Sequence, residues 1–271
     1  MNNLVTRTLS GGVFVIIVLG SILLGAYSFA IMMITIIVWA MLEFYGIVVK
    51  GKINASKIIG IFSGVSLFVA GFLYARDIVC VKVFLLFIPL LSALFISQLY
   101  SAEQNTFRTF ACTLTGVVYI ALPFTLLNGI IFSSGGKYLP DILLGFFVLS
   151  WVNDSFAYLT GIAFGKHRLF ERISPKKSWE GFFGGLICTV AISALIATMF
   201  PVLSYYHWMA VAAIIVVFGV YGDLIESLLK RNFNLKDSGR FLPGHGGILD
   251  RFDSMLLAAP MVYFYLKLVI F

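Results

Sequence analysis

Long apolar runs dominate this sequence and restrict the folds open to it. Nine stretches could each form a helix that crosses a membrane, at 9–25, 28–49, 58–75, 83–100, 107–132, 141–164, 180–200, 207–229 and 253–271. A helix needs about 20 apolar residues to cross a bilayer, where its backbone satisfies its own hydrogen bonds. The strands of a barrel would alternate apolar and polar residues, and the sequence shows no such alternation. We therefore predict an all-α polytopic membrane protein.

Basic residues are distributed unevenly between the two sides that these spans define. The chain has 19 Lys and Arg against 12 Asp and Glu, and a net charge of +7. If the N-terminus lies in the cytosol, 15 of the 19 basic residues fall in cytosolic segments, which is the bias expected of a membrane protein. We therefore predict a cytosolic N-terminus, and cytosolic positions for the two polar stretches 165–179 and 230–252.

Asp154 is a carboxylate inside the sixth span, where ionisable residues are rare and usually functional. On a helix it shares one face with Tyr158 and Gly161. Pairing with a Lys or Tyr of a neighbouring helix is the structural alternative. A functional role is favoured, because an unpaired Asp at this depth costs a few kcal/mol. Glu43, near the cytosolic end of the second span, is interpreted as a snorkelling or lysine-paired residue without a role.

A second group of polar side chains lies at the cytosolic end of the eighth span. Asp223, Glu226, Ser227 and Lys230 have the i, i+3, i+4 and i+7 spacing of one helical face. A surface pair between Glu226 and Lys230 would explain two of these residues without any function. It does not explain Asp223, which follows an apolar run and a glycine.

Asp250 and Asp253 stand where the ninth span begins. Their i, i+3 spacing turns both carboxylates to one side of a helix N-terminus, where negative charge also stabilises the helix. That structural role is sufficient for Asp253 alone. Two aspartates beside the sequence HGG, together with Asp223, instead predict a site for a hard cation. Mg²⁺ prefers oxygen ligands and is commonly held by one or two carboxylates plus substrate phosphates.

The basic segment SPKKSWEG leads into the seventh span. Ser174 and Ser178 predict a turn before a helix, and Lys176 and Lys177 stand at the mouth of the membrane. The lysines could serve as a positive-inside anchor. A phosphate site is equally favoured, because helix N-termini also bind anions.

Glycines mark two further features of the C-terminal half. In LPGHGG, Gly246 and Gly247 follow His245 and allow backbone N–H groups to approach phosphate oxygens. His245 is assigned to hydrogen-bond donation or positioning rather than to base catalysis, because a lipid phosphate is already an anionic nucleophile. The pairs Gly161–Gly165 and Gly181–Gly185 have the spacing that lets membrane helices approach closely, although ordinary membrane glycines are an equal alternative.

Taken together, these stretches resemble the phosphatidate cytidylyltransferase (CDP-diacylglycerol synthase) family. The pattern S-x-x-K-R-x4-K-D…P-x-H-G-G-x-x-D-R-x-D runs from Ser227 to Asp253, and its length leaves little room for chance. SPKKSWEG and the Asn153–Asp154 segment resemble two further shared stretches. The resemblance extends from about residue 150 to 271, whereas the first 140 residues are similar only in hydropathy and span number.

The resemblance implies transfer of a cytidylyl group from CTP to phosphatidic acid, with Mg²⁺ and a second, monovalent cation such as K⁺ at the site. Metal ligation is implied for Asp223, Asp250, Asp253 and Asp154. Catalytic roles are implied for Asp223, Lys230, Arg231, Lys236, Asp237, His245, Asp250 and Arg251. Substrate binding is implied for Ser174, Lys176, Lys177, Ser178, Ser227, Arg240, Gly246 and Gly247.

The protein expected on this basis is a single integral membrane domain of the bacterial plasma membrane. Residues 1–140 would supply scaffold or dimer helices, and residues 141–271 would form the catalytic half. The active site would face the cytosol, and the resemblance implies a homodimer. CTP and phosphatidic acid are the expected partners, and no nucleic acid is expected.

Other functions remain as alternatives. A cytidylyltransferase for another phospholipid precursor would share these motifs, and hydropathy does not separate the two. An ion-coupled or anion transporter would fit intramembrane Asp residues and broken helices, but its charged groups should lie near the midplane in both halves. Here they crowd one cytosolic edge of the C-terminal half. A CDP-alcohol phosphotransferase would need a DG…AR…G…D…D run, which the sequence does not contain.

Overall fold

Apolar helices form nearly all of the regular structure. The computed structural model describes residues 3–49, 55–100, 106–133, 135–235, 237–239 and 246–270. Within these residues, eight helices are long and apolar enough to cross a membrane, and a shorter apolar stretch, Ser10–Leu23, precedes them. The prediction of an all-α polytopic membrane protein is confirmed, with one small β-hairpin beside the helices. The orientation of the termini stays a prediction.

The chain forms two compact units, and the first comprises Met1–Tyr138 and Asp237–Arg251. Its elements are α1 (Asn3–Leu23), α2 (Ala26–Val48), α3 (Ala55–Ala75), a 3₁₀-helix (Val81–Leu86), α4 (Phe87–Leu99), α5 (Thr106–Gly116), a π-helical turn (Val117–Ala121), α6 (Leu122–Leu126), α7 (Asn128–Ile131) and the first residues of α11 (Leu249–Val269). The fifth predicted span is thus a broken helix. Its π turn comes just before Pro123, whose ring removes a backbone donor from the helical ladder.

Tyr45 organises the buried interior of the first unit. Its hydroxyl donates to the carbonyl oxygen of Thr113 at 2.8 Å, which satisfies the polar end of a buried ring. Gly60 and Gly116 make room for this side chain, because a Cβ at either position would come within 2.5 Å of it. The α2 helix is therefore fixed against α3 and α5 by shape as well as by apolar burial.

The second unit comprises Leu139–Lys236 and Phe252–Phe271. Its elements are α8 (Asp141–Phe164), β1 (Arg168–Phe170), β2 (Ser174–Ser178), α9 (Trp179–Met199), α10 (Tyr205–Asn232) and the remainder of α11. Helices α8 and α9 approach closely, as the glycine spacing predicts. A Cβ at Gly181 would lie 2.8 Å from the carbonyl oxygen of Ala157, and one at Gly185 would lie 2.7 Å from Oδ1 of Asn153. Small residues thus allow the two backbones to meet.

A two-stranded antiparallel hairpin introduces α9. Strand β1 pairs with β2, with Arg168 opposite Ser178 and Phe170 opposite Ser174. The prediction of a turn over residues 174–178 is wrong, because Ser174–Ser178 is the second strand of this hairpin. The predicted helix start is confirmed: Ser178 is the N-cap of α9, and its Oγ accepts the N–H of Gly181 at 3.2 Å.

Candidate functional site

A cavity of about 710 Å³ lies within the second unit. Acidic, basic and glycine residues line it side by side, among them Asp154, Asp223, Arg168, Lys176, Lys177 and Gly181. A cavity of this size can hold a nucleotide or a lipid headgroup. Both signs of charge are therefore available to one ligand.

Helix α8 supplies one wall of the cavity from a single face. Asp154, Tyr158 and Gly161 line it at the spacing of successive helical turns, and Gly165, directly after the helix, lines it too. The predicted shared face of Asp154, Tyr158 and Gly161 is thus present. Asp154 is exposed, and the space beside it is part of the cavity. Its role as a metal ligand stays a prediction.

Asp223 and Lys177 meet in the same cavity. The Nζ of Lys177 lies 2.5 Å from Oδ2 of Asp223, and both side chains are partly exposed. The other carboxylate oxygen, Oδ1, accepts the hydroxyl of Ser227 at 3.2 Å. The family resemblance implies substrate binding for Lys177 and metal ligation for Asp223, and the structure brings these two opposite charges into one ion pair. An ammonium group therefore supplies positive charge at this carboxylate.

Asp253 is the third predicted metal ligand in the second unit. A Cβ at Gly222 would come 2.5 Å from the backbone carbonyl oxygen of Asp253. Helix α11 therefore packs closely against α10 at Gly222, the residue before Asp223. Oδ1 of Asp253 accepts the backbone N–H of Ser254 at 2.6 Å. Three of the four predicted metal ligands therefore belong to this unit.

The donor set of these aspartates suits a hard cation, because every donor is a carboxylate oxygen. Among the residues that the structure describes, no three Asp, Glu, His or Cys side chains converge closely enough to hold a metal ion. The ammonium of Lys177 lies beside Asp223, where it provides one positive charge. The carboxylate oxygens of these aspartates are the type of ligand that Mg²⁺ prefers. Magnesium binding itself stays a prediction.

Lys230 and Glu226 form an i, i+4 ion pair on α10. The sequence alternative placed such a pair on the surface, whereas Glu226 is fully buried and Lys230 is 9% exposed. Removing one member of a buried pair leaves an uncompensated charge, so these two residues are structurally dependent on each other. The assignment of Lys230 to catalysis stays a prediction.

The segment around Asp250 belongs to the first unit. Oδ2 of Asp250 accepts the backbone N–H of Ser238 at 2.9 Å and that of Gly247 at 2.8 Å. Gly246 has a φ of +82°, a conformation that favours glycine, and a Cβ there would lie 2.6 Å from the same oxygen. The N–H of Gly247, predicted to face a phosphate, thus donates to Asp250 in this structure. Metal ligation by Asp250 stays a prediction.

Glu43 has hydrogen-bond partners that the sequence did not predict. Its described partners are not lysines. Oε1 accepts the backbone N–H of Ile248 at 3.0 Å, and Oε2 accepts that of Leu249 at 2.9 Å and the hydroxyl of Ser238 at 3.2 Å. Its position inside an apolar span was the available signal, because a carboxylate there needs a specific partner. Arg168 was counted in the sequence only as a basic residue, but it lines the cavity.

The remaining predicted site residues divide into two groups. Asp237 and Arg251 are exposed, and so is Arg231, whose Nη1 donates to the carbonyl oxygen of Leu235 at 3.1 Å. Lys236, Arg240 and His245 lie outside the described residues. The functional assignments of all six stay predictions.

Comparison with known proteins places these features in a family. The cytidylyltransferase family matches residues 5–269. A phosphatidate cytidylyltransferase of Staphylococcus epidermidis is 41% identical over 164 residues, which is 60% of this chain and 61% of the relative. One of Staphylococcus aureus is 40% identical over the same length with the same coverage, and one of Bacillus subtilis is 46% identical over 126 residues, 45% of each chain.

The chain thus aligns with 61% or less of the length of these relatives. The family match is broader and extends over nearly all of the chain, including both compact units. It covers the cavity aspartates of α8 and α10 and the segment around Asp250 alike. This chain therefore belongs to the cytidylyltransferase family.

Proposed function

We propose that this membrane protein transfers the cytidylyl group of CTP to phosphatidic acid, giving CDP-diacylglycerol and pyrophosphate. The observation that carries the proposal is the cavity in which Asp154 and Asp223 lie beside Lys176, Lys177 and Arg168. Its mixed charge suits a triphosphate, which needs cationic groups, and a metal counterion, which needs carboxylates. The bacterial relatives are named phosphatidate cytidylyltransferases, which supports phosphatidic acid as the acceptor.

The chemistry requires little covalent participation by the protein. A phosphate oxygen of phosphatidic acid forms a new bond to the α-phosphorus of CTP, and the bond to the β-phosphate oxygen breaks. Pyrophosphate leaves with the bonding electrons. Because the attacking phosphate is already an anion at neutral pH, the step does not depend on a general base. Positioning and charge stabilisation then provide most of the catalysis.

Residues that line the cavity of the second unit can provide this positioning and charge stabilisation. Lys176, Lys177 and Arg168 would bind the phosphate oxygens, since they line one cavity and carry permanent or near-permanent charge. One or two of the predicted ligands Asp154, Asp223, Asp250 and Asp253 would hold Mg²⁺ together with the substrate phosphates. When bound, Mg²⁺ would neutralise the triphosphate and favour departure of pyrophosphate. The Lys177–Asp223 pair would open as Lys177 turns to phosphate.

The proposal has further parts that rest on the family resemblance. The site would face the cytosol at the bacterial plasma membrane, where CTP is present. A monovalent cation such as K⁺ would accompany Mg²⁺, and the working assembly would be a homodimer. Arg231, which is exposed, would add positive charge near the substrates.

The full chain, purified in detergent and returned to vesicles, tests the reaction with two labels. With phosphatidic acid and Mg²⁺, CTP labelled at the α-phosphate should place its label in chloroform-extractable lipid. CTP labelled at the γ-phosphate should leave its label in water-soluble pyrophosphate. Omitting phosphatidic acid should abolish both products, and chelating Mg²⁺ should do the same.

The outcomes separate the alternatives. Extractable label from the γ-position would contradict cytidylyl transfer. Label that appears only with a different phospholipid phosphate, such as an ether-linked one, would assign another lipid substrate. Uptake of an anion into the vesicles without any lipid product would support a transporter and overturn the proposal.

A further inference from the structure

We infer that Glu43 is a positioning residue for cytidylyl transfer. It fixes the backbone of Asp237–Gly239 and Gly246–Arg251, the two described flanks of the segment Asp237–Arg251, here called the signature loop. The inference rests on the proposed function, because it concerns how that reaction is supported. Glu43 lies on α2, a span outside the part of the sequence that carries the family motifs. It is nevertheless bound to the loop in which those motifs are densest.

The geometry uses both oxygens of the carboxylate. Each oxygen takes one backbone N–H from the start of α11, Ile248 for Oε1 and Leu249 for Oε2. Oε2 also accepts the hydroxyl of Ser238, from the other end of the loop. Glu43 therefore connects both described ends of the signature loop to one point on a membrane helix.

Two glycines bring the loop backbone close enough for these bonds. A Cβ at Gly239 or at Gly247 would collide with the carboxyl group of Glu43. Larger residues at either position would separate the loop from α2. Residues of both α2 and the signature loop thus determine the close approach.

The contacts of Glu43 continue to Asp250. Ser238 donates its hydroxyl to Glu43 and its backbone N–H to Asp250. Gly247 also donates its N–H to Asp250, and the next N–H along the chain, that of Ile248, goes to Glu43. Ser238, and the neighbouring pair Gly247 and Ile248, therefore donate hydrogen bonds to both carboxylates. A displacement at Glu43 would move Asp250, a predicted metal ligand.

An ordinary helix cap does not account for this arrangement. The first N–H groups of a helix lack intrahelical partners, and a cap residue next to them in the chain usually satisfies them. Glu43 precedes Ile248 by 205 residues and belongs to a different helix. A local cap would have stabilised α11 without fixing the loop to α2. Groups that orient a ligating carboxylate in this way typically affect metal affinity or activity by about 10- to 100-fold.

The variant E43Q tests the inference, because glutamine has the same shape but can accept with only one of its two terminal atoms. We expect activity per folded protein to fall about 10- to 100-fold, and the Mg²⁺ concentration for half-maximal activity to rise several-fold. Hydrogen–deuterium exchange should accelerate at the amides of Ile248 and Leu249 and remain unchanged in α8 and α9. E43D keeps the charge on a shorter arm and should recover part of the activity.

D77N is the matched control, since Asp77 is an exposed carboxylate of the first unit whose left-handed φ of +57° asparagine also tolerates. It should match the wild type in activity, Mg²⁺ response and exchange. Wild-type exchange at Ile248 in E43Q would show that the contact does not hold the loop. Wild-type activity in E43Q would overturn the positioning role. So would lost activity with an unchanged Mg²⁺ response and faster exchange throughout the protein, because that result would indicate a general loss of stability.

The proposed function fails in a distinguishable way. If the wild type makes no CDP-diacylglycerol, the function is wrong, but local exchange in E43Q still reports on the connection between α2 and the loop. If the wild type is active, only the variants decide the role of Glu43.

Discussion

Asp223 and Glu226 of the second unit are held in a different way from Glu43 and Asp250 of the first. In the second unit, Asp223 pairs with Lys177 and Glu226 pairs with Lys230, so side-chain ammonium groups balance the charge. In the first unit, Glu43 and Asp250 accept backbone N–H groups, with a serine hydroxyl in addition. A lysine can turn to another partner by changing rotamers. A backbone donor can leave only if the local fold changes.

This difference separates a carboxylate that can exchange partners from one that fixes the chain. The Lys177–Asp223 pair is partly exposed and lies in a cavity, where substrate and solvent can compete with it. Ion pairs with such exposure contribute little net stability. Hydrogen bonds from backbone groups to a charged acceptor contribute more, about 1.5–3 kcal/mol each. We therefore expect variants in the cavity to affect chemistry and variants at the loop to affect local structure as well.

The largest effect is expected for D223N, which removes the cavity carboxylate but keeps its shape. Cytidylyl transfer should fall roughly 1,000-fold, because a carboxylate that would hold the Mg²⁺ counterion of the triphosphate is lost. Initial rates at saturating CTP measure the effect. Exchange at Ile248 and Leu249 should stay as in the wild type, which would distinguish D223N from E43Q.

D141N is the control for this change. Asp141 is also an aspartate of the second unit and lies in the first turn of α8, where it contributes about 0.3–1 kcal/mol to the helix. It should retain activity within about twofold. Equal activity of D223N and D141N would show that Asp223 has no role in the reaction.

A smaller effect, about 100-fold in kcat/KM for CTP, is expected for K177Q, because a cation that contacts phosphate is lost in a cavity of mixed charge. Raising the salt concentration should narrow the difference in kcat/KM between this variant and the wild type, since screening weakens in the wild type an attraction that the variant lacks. K166Q alters an exposed lysine beside the hairpin and serves as the comparison. If the two variants behave alike, the basic residues act as a general positive surface and not through the Lys177–Asp223 pair.

The smallest effect is expected for G181A, which alters the wall of the cavity without touching a charge. The new Cβ would lie 2.8 Å from the carbonyl oxygen of Ala157 and 3.3 Å from Cα of Gly161, so α8 and α9 must separate. We expect a loss of about 1–3 kcal/mol in the free energy of unfolding, measured in denaturant. At Gly20, a Cβ would meet no described atom within 4 Å, so G20A should cause no loss. Equal stability of the two variants would contradict the close packing.

The sequence was most informative where local spacing alone determines position. Apolar runs predict the spans, since the length of a helix in a bilayer is set by the bilayer. The i+4 and i+7 spacing places Tyr158 and Gly161 on the face of Asp154, and all three line the cavity. The glycine pairs predict the close approach of α8 and α9, because each pair opens one helix face.

Contacts between distant parts of the chain could not be predicted in this way. Glu43 and Leu249 are 206 residues apart, and no periodicity connects them. The hairpin was missed because β1 has three residues and β2 has five, too few to show an alternating pattern, and because β2 contains Pro175. Ion pairing between Lys177 and Asp223 likewise depends on packing, although each residue had been singled out separately.

The end of the hairpin has a consequence for how this protein can change over evolutionary time. Ser178 is both the last residue of β2 and the N-cap of α9, so no linker separates strand from helix. Adding or removing one residue within β2 would reverse the faces of its side chains and carry Lys177 away from Asp223. The connection from Glu171 to Ile173 lies outside both strands. Insertions should therefore be tolerated in the turn Glu171–Ile173. An insertion within β2 should impair the protein even where no charged residue is replaced.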